Sequence, residues 1–180
     1  MRVCRTVSVI VVGVAGALLS ACGTSGGGGS SPGGVVTPTI SPSLPSVCPS
    51  TPVKVPFDPA TPAPGSLLVP TDVVNANLCV YPTRSENFPP STQPIVVKDA
   101  VELMRALNTS VSASGKTYSC PPDEGGADIV TFGRPTGTLV VVAIPRSGCA
   151  FILSTNTSGP WTMTWETHQY LATIDPSFGV

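Results

Sequence analysis

The chain of 180 residues is poor in charged, aromatic and histidine side chains. Asp, Glu, Lys and Arg make up 11% of it, Phe, Trp and Tyr make up 6%, and it has one histidine. A soluble domain ordinarily has about 25% charged residues. The formal net charge is -1, so the chain has no basic surplus with which to bind the phosphates of DNA or RNA. We therefore expect no nucleic-acid partner.

The familiar catalytic and cofactor motifs are also missing. No Gly-x-Ser-x-Gly nucleophile motif and no phosphate-binding or dinucleotide-binding glycine pattern occurs, and the glycines at 26–29 follow no predicted strand. No Cys-x-x-Cys pair accompanies His168, so a metal site has little support. A catalytic triad would need a nucleophile and a carboxylate beside His168, which we predict to be an exposed residue of a C-terminal helix. The sequence predicts no catalytic residue, no cofactor and no metal.

The longest apolar run, residues 7–19, is too short to cross a membrane as a helix. A helix of this length, at about 1.5 Å per residue, falls short of a hydrocarbon core of about 30 Å. The run follows Arg2 and Arg5, and it has the length of the apolar region of a secretory signal. We predict that residues 1–21 form a signal peptide that is removed.

The four residues Leu19-Ser20-Ala21-Cys22 end this apolar run. They resemble the lipobox of bacterial lipoproteins, in which the cysteine is diacylglycerylated and becomes the new N-terminus. The resemblance implies that Cys22 carries lipid and that the protein is anchored to the outer face of the cytoplasmic membrane. Two or three acyl chains, at about 0.8 kcal/mol per buried methylene, hold a protein far more firmly than one. The alternative is an ordinary signal peptide whose cleavage site happens to precede a cysteine.

Residues 23–66 have the composition of a linker, since 31 of these 44 residues are Gly, Pro, Ser or Thr. The glycine-rich first part is typical of a flexible coil, and the regularly spaced prolines that follow favour an extended chain. We predict a lipidated, disordered tether over residues 22–46, followed by a single domain over residues 47–180. Such a tether holds the domain roughly 25 to 30 Å from the bilayer.

Four cysteines remain once Cys4 and Cys22 are set aside. An even number in an exported chain predicts two disulfides, with three possible pairings. Residues 128–134 and 138–144 read as a β-hairpin around a Pro-Thr-Gly turn, and the chain segments flanking a hairpin return to the same end. This favours a Cys120–Cys149 disulfide, which leaves Cys48–Cys79 to fasten the end of the tether to the domain.

The remaining patterns predict an α+β domain with a small antiparallel sheet packed with one or two helices and stapled by disulfides. Short strands are predicted at 77–81 and 150–154, and the unbroken apolar run LVVVAI indicates a central strand covered on both faces. The clearest helix spans 97–108, with Asp99 as its cap and an apolar face. A second helix spans 165–174 with Thr164 as its cap, although the preceding WTMTW alternates and could instead extend a strand.

A wider resemblance covers roughly residues 78–156. The segment YSCPPD, followed by FGRPTGTLVVVAIPRSGC, is similar to a pattern found in exported lipoproteins of high-GC Gram-positive bacteria. That pattern has a helix, Cys-Pro, an acidic glycine segment, a Phe-centred strand, a glycine turn, a Val-rich strand and Gly-Cys. The resemblance implies an envelope lipoprotein with the fold described above, and it implies no catalytic residue.

Two groups of residues are candidates for binding. Asp123, Glu124 and Asp128 lie close together in the sequence and could in principle hold Ca²⁺, but they lack the alternating ligand spacing of an EF-hand. We expect them to be a solvated approach to the hairpin.

Aromatic residues concentrate near the C-terminus. Trp161, Trp165 and Tyr170 are possible binding residues for an envelope protein or a glycan, because rigid rings offer a large contact area; the alternative is that two of them close the core. We expect a non-catalytic binding module of the cell envelope. The alternative function is an enzyme, or an enzyme accessory, that acts on envelope polymers.

Overall fold

The computed structural model describes residues 42–178. The predicted signal peptide, the lipidation site Cys22 and the first part of the predicted tether lie outside the described residues. None of the helices in residues 42–178 is long and apolar enough to cross a membrane.

The described residues form two helices and one antiparallel sheet of seven strands. This confirms the predicted α+β fold class. The strands lie side by side in the order β2-β1-β4-β5-β6-β7-β3. The elements in chain order are β1 (Asn75–Tyr81), β2 (Ile95–Val96), α1 (Ala100–Asn108), β3 (Val111–Ser112), β4 (Ala127–Gly133), β5 (Leu139–Pro145), β6 (Ile152–Ser154), β7 (Thr157–Thr162) and α2 (Trp165–Ile174).

The hairpin of β4 and β5 is the centre of the sheet. Its strands pair from Ala127 with Pro145 to Gly133 with Leu139, around the predicted turn. Gly137 has a φ of +82°, a left-handed conformation that glycine adopts without strain. Strand β5 is covered on both faces, as its unbroken apolar run predicts.

Both helices begin at the predicted caps. The Asp99 carboxylate accepts a 2.9 Å hydrogen bond from the backbone N–H of Glu102, and the Thr164 hydroxyl accepts one from Thr167. Helix α1 begins at Ala100, three residues later than predicted, because β2 pairs with β1 and the N–H of Val97 still donates to the sheet.

One side of the sheet, which we call the helix face, packs against α1 and α2. The sheet contributes the inward residues of β1, β4 and β5, and both helices add buried leucines. In α1, the predicted apolar face is buried, and it consists of Ala100, Leu103, Met104 and Leu107. The largest fully buried side chains of this face include Phe132, Leu78, Leu103, Ile144 and Leu171.

The other side of the sheet is covered by residues 42–62, an extended proline-rich segment that we call the strap. The sequence predicts a free tether as far as residue 46 and the domain from residue 47, yet the described chain contacts the sheet from Pro42 onward. The reason is a ladder along β1, in which Asn75, Asn77 and Tyr81 donate to three strap carbonyls, those of Pro42, Pro45 and Pro49. Proline carbonyls remain free to accept because the proline ring removes only the N–H donor.

Both predicted disulfides are present. Cys48–Cys79 joins the strap to β1 with a Cα–Cα separation of 5.7 Å, and both of its cysteines are buried. Cys120–Cys149 joins the two approaches to the central hairpin, with a Cα–Cα separation of 4.8 Å.

The far end of the strap is seated on β7. Gly159 there has a φ of +80°, and a Cβ atom on it would lie 2.6 Å from the Ala60 carbonyl oxygen and 2.7 Å from Pro62. The sequence does not predict this strand because it contains glycine and proline at 159–160, and both residues ordinarily interrupt strands. The possible strand extension through WTMTW is confirmed only as far as Thr162.

Candidate ligand-binding pocket

Arg146, the residue after β5, organises the edge of the helix face. Its side chain is 4% exposed and lies among three carboxylates. Its Nε donates to Asp128 at 2.8 Å and Nη1 donates to Glu86 at 2.7 Å, while Nη2 donates to Asp175. The carbonyl and hydroxyl oxygens of Ser177 accept at 3.5 and 3.2 Å. All five guanidinium N–H groups therefore have acceptors within the protein.

Two phenylalanine rings cover the guanidinium. Its central carbon lies 5.8 Å from the ring centre of Phe88 and 5.7 Å from that of Phe178. These distances are within the range in which a cation is attracted to an aromatic face. Because only 4% of the Arg146 side chain is exposed, its ion pairs act in a surrounding of lower dielectric constant than water.

The carboxylates around Arg146 titrate differently from one another. Burial raises the pKa of Asp128 to about 6, against the opposing effect of the Arg146 ion pair, and its Oδ2 has no hydrogen-bond partner among the described residues. Burial also acts to raise the pKa of Glu86, but hydrogen bonds from Thr83 and the charge of Arg146 outweigh it, so that pKa lies below its usual value.

A cavity of about 380 Å³ opens beside this cluster. The loop after β1, the turn after β5 and helix α2 form its walls. Its lining residues are Thr83, Ser85, Glu86, Glu124, Pro145, Arg146, Ser147, Ala150, Met163, His168 and Phe178. We refer to it as the His168 pocket. It brings the only imidazole of the chain together with two carboxylates that the sequence separates by 38 positions or more.

The hydroxyl groups of the pocket are held by its acidic residues. Ser85 donates to Glu124 at 2.5 Å. The Ser147 hydroxyl lies 2.8 Å from the Asp123 carboxylate and 2.9 Å from the Gly125 carbonyl, and it accepts from the backbone N–H of Glu124. Hydrogen bonds to Gly125 and Ser147 hold the pKa of Asp123 below its usual value. The Ser147 hydroxyl thus fastens the acidic loop to the turn after β5.

Ala150 lines the same pocket in a strained conformation. Its φ is +47°, and it is the only residue other than glycine in the described chain with a positive φ. It directly follows Cys149, whose disulfide to Cys120 restrains the turn. A left-handed alanine is costly, and such strain persists where the surrounding structure demands it and clusters at functional sites.

An aromatic stack adjoins the pocket, and we call it the rim: Trp165 lies outside the pocket lining and stacks on the lining residue His168. The His168 ring is half-buried and lies parallel to Trp165, with ring centres 5.6 Å apart and an angle of 5° between planes. On its other side it contacts Phe178 at 5.4 Å. Trp165 itself is 66% exposed. His168 is therefore a clamped residue of the pocket wall and not the exposed helix residue that the sequence indicates.

The three aromatic residues predicted for binding do not share one surface. Trp161 is in the helix-face core, where it is 8% exposed. Tyr170 is half-buried and its hydroxyl donates to the Asp99 carbonyl at 3.1 Å, joining α2 to the start of α1. Only Trp165 presents its ring to solvent, at the pocket rim.

The acidic residues predicted near the hairpin are separated in the same way. Asp123 and Glu124 are exposed on the pocket loop, while Asp128 is fully buried against Arg146. The expectation that all three are solvated is therefore wrong for Asp128, because β4 turns its side chain toward the helix face. Within residues 42–178, no group of three His, Cys, Asp or Glu side chains is placed to hold a metal ion.

Sequence reasoning missed the residue at the centre of the site. Arg146 binds Glu86 and Asp175, which lie 60 and 29 positions away and on different elements. No local pattern records such a contact. The sequence does contain one indication, which is an arginine directly after a strand that is buried on both faces. Burying an unpaired charge there costs much free energy, so partners for it are expected.

A second, shallower groove lies between the strap and the sheet. It has a volume of about 720 Å³ and is lined by strap residues 51–57 together with Ala127, Ile129 and Ala143. Its lining is mostly apolar, and Phe57 at its edge is 60% exposed. We refer to it as the strap groove.

Comparison of the chain with protein-family models, with curated proteins and with solved structures finds no significant match in any of the three. Its function is therefore argued from its own residues, and the His168 pocket is the feature of the described chain that combines a cavity, charged groups and strained backbone.

Proposed function

We propose that the protein is a membrane-anchored lipoprotein of the cell envelope and that its domain is a non-catalytic binding module. The lipobox-like Leu19-Ser20-Ala21-Cys22 supports the anchor, with the membrane as the partner of the lipid on Cys22. Two disulfides support an extracytoplasmic location, because such bonds persist in oxidising compartments. The bound partner is then an envelope component, either a protein or a glycan, within reach of the tether.

The His168 pocket is the observation that carries the binding role. Its volume of about 380 Å³ lies in the range of about 300 to 1,000 Å³ that small ligands occupy in proteins. Its walls combine apolar side chains with carboxylates, hydroxyls and an imidazole. Disulfide Cys120–Cys149 and the Arg146 cluster hold these walls, so the pocket is formed before a ligand arrives and little ordering is needed on binding.

The hydrogen bonds of the pocket favour binding over catalysis. A nucleophilic serine needs an effective base beside it, but the carboxylate beside the Ser147 hydroxyl is Asp123, whose pKa is held below its usual value by hydrogen bonds from Gly125 and Ser147, which makes it a weak base. Among the described residues, no side-chain hydrogen bond orients the His168 imidazole. Glu86 is held by Arg146 and Thr83, which stabilises its ionised form and makes it a poor proton donor.

Crosslinking in cells tests the binding role. A photo-reactive amino acid is placed at Trp165, on the pocket rim, and, as a matched control, at Leu139, which is 40% exposed at the opposite end of β5. We expect a discrete crosslinked envelope component at position 165 and none at 139. Equal crosslinking at both positions, or none at 165, would contradict the proposal.

The anchor is tested separately. Replacing Cys22→Ala is expected to stop lipidation and to release the protein into the medium or block its processing. Fractionation after a salt and alkali wash, with immunodetection, measures this. A Cys22→Ala variant that stays with the membrane after washing would contradict the lipoprotein proposal.

The alternative is an enzyme, or an enzyme accessory, that acts on envelope polymers. The observation in its favour is that His168 shares a pocket with Glu86 and Glu124. Release of soluble fragments from purified cell-wall polymer measures this activity. Release by the wild type that is lost in His168→Ala, at unchanged melting temperature, would favour the enzyme; no release by the wild type favours the binding module.

A further inference from the structure

We infer that the His168 pocket selects a positively charged, amine-bearing sugar unit of an envelope glycan. This inference rests on the proposed binding function and names the ligand class for the same pocket. Three features support it. Every guanidinium N–H of Arg146 already has an acceptor, carboxylates outnumber cationic side chains, and an aromatic ring lies at the rim.

Arg146 is the only cationic residue in the pocket lining, yet it has no donor left for a ligand. Each of its five N–H groups is directed at an oxygen of Asp128, Glu86, Asp175 or Ser177. An anionic ligand would have to break one of these buried ion pairs, and a buried carboxylate left without its partner is strongly destabilising. The pocket is therefore not a site for phosphates or carboxylates, despite its arginine.

The charge that reaches the pocket is negative. Glu86 and Glu124 belong to the lining, Asp123 is hydrogen-bonded to the lining residue Ser147, and Asp128 and Asp175 are ion-paired with Arg146. The charge of Arg84, whose neighbours Thr83 and Ser85 line the pocket, also acts on Asp123, so two arginines and five carboxylates lie in or beside the pocket. A cleft lined by charge of one sign attracts ligands of the opposite sign. The pocket therefore attracts an ammonium group and repels an anion.

The groups of the pocket that are left without a described hydrogen bond include a carboxylate oxygen of Glu124, which accepts, and the His168 imidazole, which can donate and accept. Glu124 is exposed and uses one carboxylate oxygen, Oε2, to accept from Ser85, while no described hydrogen bond engages Oε1. Carboxylate oxygens accept hydrogen bonds from hydroxyl and ammonium groups alike, and bonds to charged partners are the stronger ones. A sugar that carries hydroxyls and one amine matches this lining.

The aromatic rim favours a sugar over a cationic peptide or a polyamine. Trp165 lies parallel to the lining residue His168 and is 66% exposed. A rigid ring of this kind provides a large contact area at low entropic cost, and the apolar face of a second sugar fits against it. The pocket and the rim together suit adjacent units of one glycan chain.

Binding of matched trisaccharides to the full-length, detergent-solubilised protein tests the inference by calorimetry. Glucosamine and N-acetylglucosamine trimers differ in whether the amine is free, and a galacturonic acid trimer supplies the opposite charge. At about pH 6, where an amine is protonated, we expect the glucosamine trimer to bind about tenfold more tightly than the acetylated one. The preference should shrink at high salt, because salt screens exposed charges.

The variant Glu124→Gln removes the exposed pocket carboxylate without touching the Arg146 cluster. We expect it to lose most of the preference for the free amine while it still binds the acetylated trimer. Glu102→Gln is the matched control, since Glu102 is an exposed carboxylate on α1 outside the pocket lining. It should bind like the wild type.

Each other outcome overturns the inference. Equal affinity for the two amino-sugar trimers, tighter binding of the uronic acid, or tighter binding of tri-lysine than of glucosamine would each show that the ligand class is wrong. A protein that binds none of these probes also overturns it. The proposed binding function is judged apart from this result, by crosslinking at Trp165 against Leu139.

Discussion

The two faces of the sheet are covered in different ways. The helix face is covered by two amphipathic helices and buries large apolar side chains from every central strand. The strap face is covered by an extended segment without regular secondary structure, and its buried cluster is small. The charged pocket opens at the edge of the helix face, while the buried polar groups of β1 on the strap face are amides and a phenol.

The two faces show how a chain rich in proline and glycine forms a folded domain. The helix face buries apolar residues that recur along its strands and helices with the period of each element. The strap is held by side chains of β1 and by Cys48–Cys79, so the strap face depends on a covalent bond and on hydrogen bonds to proline carbonyls. Both faces therefore stabilise the domain, whereas the proposed ligand site lies on one of them.

The largest expected effect comes from removing the strap disulfide. The variant Cys48→Ser/Cys79→Ser should lose about 3 to 4 kcal/mol from loop entropy, and more as the strap detaches. Cys120→Ser/Cys149→Ser is the matched control, because its loop is nearly as long, 29 against 31 residues. Urea unfolding measures both. If the two variants lose the same stability, the strap does not depend on its disulfide.

A second effect should appear only on the helix face, where a carboxylate is buried. The Asp128 pKa is raised from 3.8 to about 6, so the folded state binds more protons than the unfolded state between these values. The free energy of unfolding should therefore rise by up to about 3 kcal/mol from this group as pH falls from 7 to 4. Glu86, whose pKa is lowered, acts in the opposite direction as pH falls through its folded value.

Melting curves from pH 4 to about pH 7 compare the wild type with Asp128→Asn to isolate this contribution. We expect the variant to lose the gain in stability on acidification, and Asn77→Ala on the strap face to keep it. An unchanged pH profile in Asp128→Asn would show that the proton is bound elsewhere.

Two neighbouring valines on β5 allow the stability contributed by the two faces to be compared directly. Val142 is fully buried on the helix face, whereas Val141 is half-buried against the strap side. Truncation to alanine should cost about 2 kcal/mol at Val142 and about half of that at Val141, because the transfer and cavity contributions both scale with burial. Urea unfolding at matched pH measures the difference. A larger loss at Val141 would reverse our ranking of the two faces.

The last comparison concerns the seat of the strap on β7. Gly159→Ala and Gly137→Ala both place alanine at a left-handed φ, at a cost of about 1 to 2 kcal/mol each. Only at 159 would the new Cβ also meet the strap, since nothing lies within 4 Å at 137. We expect a further loss of about 1 kcal/mol for Gly159→Ala. Equal melting temperatures would mean that the strap yields freely there.

Local patterns were enough to predict most of the helix face. The cap at Asp99, the apolar face of α1 and the β-branched hairpin each lie within a dozen residues, where periodicity and turn chemistry decide the structure. The disulfide Cys120–Cys149 followed from the return of the hairpin, and the pairing of Cys48 with Cys79 followed by elimination. Both pairings are confirmed.

The strap and the pocket could not be predicted in the same way. Composition describes the strap as a coil, and only the alternation of Asn75, Asn77 and Tyr81 with apolar residues along β1 indicated that something polar covers that face. The pocket depends on contacts between Arg146 and residues far away in the sequence. Such contacts are set by the completed fold, so no window of sequence contains them.

We propose that the His168 pocket, and not the strap face, meets the envelope. Hydrogen–deuterium exchange of the full-length protein in native membranes, compared with the purified detergent-solubilised protein, distinguishes the two surfaces. We expect added protection in the envelope at residues 83–86, 145–150 and 163–168, with no change at 51–57. Added protection confined to 51–57, in the strap groove, would contradict it.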